Sequence, residues 1–173
     1  MSVVFLIIIC IISSLLIWQD FSDRSVAVWV LIAFSAVLLA EAFFQRTVSD
    51  VFSTSGYNIV FLCLEALVLF VYYFFRYRNA KKLFQSIGGA DVWLLLALCV
   101  SFSTANYIFF LTFTMILSLV IYIVYRMIFP SATRQIPLAG LVGSIYCGSR
   151  LIMYFFSTPD WWNDELIIRA MGA

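Results

Sequence analysis

Ile87-Gly88-Gly89-Ala90-Asp91-Val92-Trp93-Leu94-Leu95-Leu96 leads from two glycines, through a carboxylate, into an apolar run. Before it lies a basic stretch with Arg76, Arg78, Lys81 and Lys82. A step from basic to apolar residues marks the mouth of a membrane helix. A helix starting near Ala90 puts Asp91 in its first turn, where unpaired N–H groups and the helix dipole favour an anion. Gly88, Gly89 and Ala90 carry little or no side chain, so another backbone can come close there.

The rest of the chain agrees with a lipid solvent. Of 173 residues, 65% are hydrophobic and 11% charged, far from the usage of soluble domains. A net charge of +1 gives no bulk attraction to nucleic acid. Histidine is absent, which removes Ser-His and Cys-His nucleophiles and H-E-x-x-H zinc motifs. Cys10, Cys63, Cys99 and Cys147 lie singly in apolar runs without a C-x-x-C pair, so they read as small buried hydrophobes rather than metal ligands or a redox motif. No metal or organic cofactor is expected.

Six apolar segments follow: Val3–Trp18, Val26–Phe44, Asn58–Phe75, Ala90–Phe102, Tyr107–Phe129 and Pro137–Phe156. Most approach the roughly 20 residues a helix needs to cross the hydrocarbon, and none alternates as a strand would. The expectation is one all-α membrane domain over residues 1–173 with six transmembrane helices. The first run has no Lys or Arg before it and reads as an uncleaved span. Loops one, three and five collect Arg24, Arg76, Arg78, Lys81, Lys82, Arg126 and Arg134, against Arg46, Arg150 and Arg169 opposite. Those loops are therefore cytoplasmic and both termini outside. Arg126 and Arg134 suit anionic lipid headgroups. Thr158, Pro159 and Asp160 form a helix-start pattern followed by Trp161 and Trp162, so a short interfacial helix is expected near 158–171.

The topology brings Asp20, at the end of the first span, and Asp91, at the start of the fourth, to one membrane boundary. Two neighbouring carboxylates can share a proton, one taking a proton from water and the other polarising a carbonyl. Asp23 is a rival for Asp20.

Gly88-Gly89-Ala90-Asp91 resembles the G-x-G-D motif of the type IV prepilin peptidases, with alanine for the second glycine. Asp20-Phe21-Ser22-Asp23-Arg24-Ser25-Val26-Ala27-Val28 is similar to that family's D-L-x-x-R-x-I-P-N, matching at Asp20, Arg24 and Val26 and departing at Ala27-Val28. Trp93 stands where many members have lysine, and the cysteine tetrad of the bifunctional members is missing. The resemblance implies six spans, an Asp20–Asp91 dyad and an aspartyl endopeptidase of the inner membrane. Its partners would be pilin-like precursors, cut at the cytoplasmic boundary, with no methyltransferase step. Two other readings stay open: an inactive membrane scaffold of the same fold, and a small transporter built on Glu41, Glu65 and Arg150.

Intramembrane charges tend to find partners. Counting about 1.5 Å per residue puts Glu65 about 10 Å and Arg150 about 9 Å below the outer face. The expectation is a structural Glu65–Arg150 ion pair, with Glu41 as rival partner.

Overall fold

A computed structural model describes residues 3–23, 25–77, 88–128 and 138–156. These form six helices: α1 Val3–Asp23, α2 Val28–Gln45, α3 Val48–Tyr77, α4 Gly89–Leu98, α5 Thr104–Ile128 and α6 Leu138–Phe156. There is no strand among the described residues. All but α4 are long and apolar enough to cross a membrane, so the chain is a polytopic all-α membrane protein. Arg24, the basic residues from Arg78 to Lys82, Arg134 and the expected helix near 158–171 lie outside the described residues.

The helices are apolar all round, so packing selects their faces. In α1 the buried residues are Leu6, Ile9, Ser13, Leu16 and Asp20. Steps of three and four are the spacing of a coiled-coil seam. This seam meets α6, where Gly140 and Gly143 let α1 close in. A Cβ on Gly143 would stand 3.1 Å from Leu16, and one on Gly140 would stand 2.9 Å from the Phe21 ring. Leu16 meets Gly143 and Asp20 meets Gly140, so the two helices run antiparallel. Small residues at such a crossing give close van der Waals packing, the main attraction available between helices in lipid.

Three helix limits differ by four or more residues from the sequence expectation, and the first helix runs on past Trp18 to Asp23. The third helix starts at Val48, ten residues before Asn58. Thr47 caps it: the Asp50 amide donates to Thr47 Oγ1 at 3.3 Å and the Thr47 hydroxyl to Asp50 Oδ2 at 2.5 Å. The fourth is shorter than Ala90–Phe102, because the chain turns at residues 99–103. Carbonyls freed by that turn find donors. Asn58 Nδ2 donates to Cys99 O at 2.8 Å and Phe102 O at 3.1 Å. Arg46 donates to Val100 O; the Tyr107 hydroxyl adds a bond at 3.2 Å to Leu95 O, which keeps its helical bond from the Cys99 amide. Irregular backbone at membrane depth requires such internal partners. Below the turn, Phe34, Phe102, Phe110 and Tyr146 pack as an aromatic core, with Phe102 and Phe110 stacked at 4.7 Å.

Arg150 pairs with Glu41, not with Glu65. Both partners are fully buried, and Gln45 Nε2 donates to Glu41 Oε1 at 3.1 Å. Depth was a poor guide because facing decides. Glu41 continues the inner stripe of α2 through Phe34 and Leu38, whereas Glu65 is only half-buried on α3. The Arg150 guanidinium also lies 5.6 Å from the Tyr146 ring centre. Removing one partner of a buried pair costs about 3–5 kcal/mol, more than removing both. In thermal unfolding in detergent, Arg150→Met should therefore destabilise more than Glu41→Gln with Arg150→Met. Glu65→Gln should show no coupling to Arg150, and a coupled Glu65 would contradict the observed pairing.

Candidate functional site: two aspartates at the start of α6

Asp20 lies in the last turn of α1, Asp91 in the first turn of α4, and both reach the beginning of α6. The first N–H groups of a helix have no partner within it. Asp20 Oδ2 accepts from the Gly140 amide at 2.5 Å, and Asp91 accepts from the neighbouring Ala139 amide. Consecutive amides of one helix terminus thus hold two carboxylates that sense each other's charge. Asp20 is buried and Asp91 half-buried. Helix termini favour anions, and that attraction offsets part of the repulsion between them.

The flanking residues set this geometry. Gln19 Oε1 accepts from the Ala27 amide at 2.9 Å, which ties the end of α1 to the start of α2. Gly88 is the N-cap of α4, and its carbonyl accepts from the Asp91 amide at 3.1 Å. A side chain on Gly88 would meet Asp91 Oδ2 at 2.8 Å, so glycine is needed for the carboxylate to fold back. Gly89 is different: among the described residues nothing lies within 4 Å of where its Cβ would be. Ala90 packs against the core, and Trp93 Nε1 donates to Ser35 Oγ at 3.0 Å, holding α4 to α2. Asp23 ends α1 in an exposed position, and Arg24 lies outside the described residues.

Ala139 and Gly140 were not among the residues singled out from the sequence. Their only signal is position, two small residues opening the last apolar run. Gly140 has a definite role, because a Cβ there would also stand 3.1 Å from Asp20 Oδ2.

Among the described residues no group of three or more His, Cys, Asp or Glu could hold a metal ion. Comparison of the chain with protein-family models, with curated proteins and with solved structures gives no match.

Asp91 stands at the mouth of the short α4, outside the five long spans. Burial first, and then the charge of Asp20, push its carboxyl up to about 6, against the pull of the Ala139 and Gly88 amides. The folded protein therefore holds this proton more tightly than the unfolded chain. The resulting stability is fully present below the unfolded value of about 3.9 and is lost as pH rises through about 6. Between about pH 4 and 7 the wild type should lose stability that Asp91→Asn retains. Parallel pH profiles of unfolding temperature would contradict this.

Crowding at Gly140 supplies a second expectation. Gly140→Ala should destabilise by about 1–3 kcal/mol, as overpacking does. Gly89→Ala should fold like the wild type, because its Cβ meets only open space. Equal losses in chemical unfolding would contradict the difference.

Proposed function

We propose that the chain is an aspartyl endopeptidase of the prepilin peptidase type, with Asp20 and Asp91 as its dyad. The observation that carries the reading is their convergence on adjacent amides of α6, at one end of the bundle. The two motif stretches around Asp20 and Asp91 are the ones that resemble the family. One carboxylate, ionised, takes a proton from water. The other, protonated, donates to the scissile carbonyl. Water oxygen adds to the carbonyl carbon, the C–N bond breaks, and the leaving nitrogen takes a proton from the dyad. No covalent intermediate forms. The open side of Gly89 leaves room for substrate backbone beside the pair.

The substrates would be pilin-like precursors with a short basic leader before an apolar helix. The lysine and arginine bias supports a cytoplasmic position for the aspartate end of the bundle, and the family resemblance supports the inner membrane.

A second reading is favoured by one specific observation. Each carboxylate accepts an amide of α6, which is what a structural anion clamp would do. Under it the chain is a scaffold in which the aspartates fix three helices and no bond is cut.

Co-expression with a pilin-like precursor separates the two. The wild type should shorten the precursor. Asp20→Asn and Asp91→Asn should each reduce cleavage to background while accumulating in the membrane, and Asp23→Asn should cut normally. Wild-type rates from Asp91→Asn would remove the aspartyl mechanism. A wild type that cuts no precursor would favour the scaffold.

A further inference from the structure

The seam between α1 and α6 holds a second pairing, ten residues and about 15 Å along α1 from Asp20. The Cys10 and Cys147 sulfurs stand 3.5 Å apart although 137 positions separate them in the chain. Their meeting continues the antiparallel register of Asp20 with Gly140 and Leu16 with Gly143. The thiols are therefore set by the main helix contact and not by a chance rotamer. Both are free and partly exposed at the edge of the seam, where a reagent dissolved in lipid can reach them. The Ser13 hydroxyl lies beside Cys147. The other cysteines are placed elsewhere: Cys63 is exposed on α3 and Cys99 is buried after α4.

We propose that Cys10 and Cys147 form a redox modification site, which a lipid-soluble oxidant of the quinone class converts to a disulfide joining α1 to α6. Each thiol gives up one proton and one electron, and the S–S bond forms. The quinone takes both electrons and both protons and leaves as the quinol. The sulfurs have to close by about 1.5 Å to reach the roughly 2.05 Å of a disulfide. Thiol–disulfide exchange needs a thiolate attacker and access, so soluble reductants and oxidants reach this pair slowly. A membrane-borne oxidant is the matching chemistry. The inference is independent of the peptidase reading, since it concerns neither aspartate.

The test uses the full chain in lipid vesicles, with a protease recognition site inserted between Pro130 and Gln135. Cutting there leaves Cys10 and Cys147 on separate pieces. The vesicles are treated with a fully substituted, non-arylating quinone, cut, and run with and without reductant. The two pieces should run as one band until reduced. Cys10→Ser and Cys147→Ser should each release them without reductant, and Cys63→Ser and Cys99→Ser should leave them joined. A short bis-methanethiosulfonate reagent is applied in parallel to report proximity. Pieces joined by that reagent but not by the quinone would mean that the thiols meet without being oxidised. Pieces joined by neither would mean that they do not meet. Either result overturns the proposal, as does a Cys10→Ser variant that stays joined, since Cys147 would then have met another thiol.

Discussion

The Asp20 carboxylate on the Gly140 amide joins the end of one helix to the beginning of another across most of the chain. It exists because a helix start in lipid presents N–H groups that water cannot satisfy. A carboxylate at the same place has the complementary problem. Satisfying each with the other fixes α1 against α6. The seam that follows, Leu16 on Gly143 and Cys10 on Cys147, keeps the same register up the bundle. Asp91 on Ala139 then brings α4 to the same point.

The same constraint works at the other end of the bundle. Glu41, Arg150 and Gln45 form one buried set. Arg46 donates both to Thr54 at 3.0 Å and to the freed Val100 carbonyl. Asn58 closes the turn after α4. These polar residues are thus placed where backbone or charge would otherwise be left without a partner. Between the two polar ends lies the aromatic core of Phe34, Phe102, Phe110 and Tyr146.

Apolar run length made the helices legible in the sequence, as six segments at nearly the right limits. Where a limit failed, local chemistry was at work: the Thr47 cap starts α3 early, and a buried turn ends α4 early. Helix faces were much less legible. In water a helix shows its inner face by contrast with polar residues, but in lipid the outer face is apolar as well. The stripe Leu6, Ile9, Ser13, Leu16 and Asp20 has a coiled-coil spacing, yet Ile7, Ile8, Ile11 and Leu15 around it are equally apolar. The loss of face information is what sent Arg150 to Glu65 on depth alone, when Glu41 faced it. Asp20 and Asp91 were easier, because both sit at helix ends, where depth is nearly the whole answer. Their partner amides could not be read, since a backbone N–H leaves no mark on composition.

The clamp and the dyad use the same two carboxylates, and the chemistry allows both at once. An ionised carboxylate offers about four lone-pair sites, so accepting one amide leaves it able to bind water or a proton. The amides also act against the repulsion that burying two like charges creates. Without them, burial and the Asp20 charge would drive the Asp91 proton affinity still higher. With them, Asp91 stays near the range where one proton can be exchanged. A helix terminus is thus suited to keep two aspartates close and one of them able to titrate. The small residues Ala139 and Gly140 are what permit that approach, because any Cβ on Gly140 would press on Phe21 and on the Asp20 carboxylate itself.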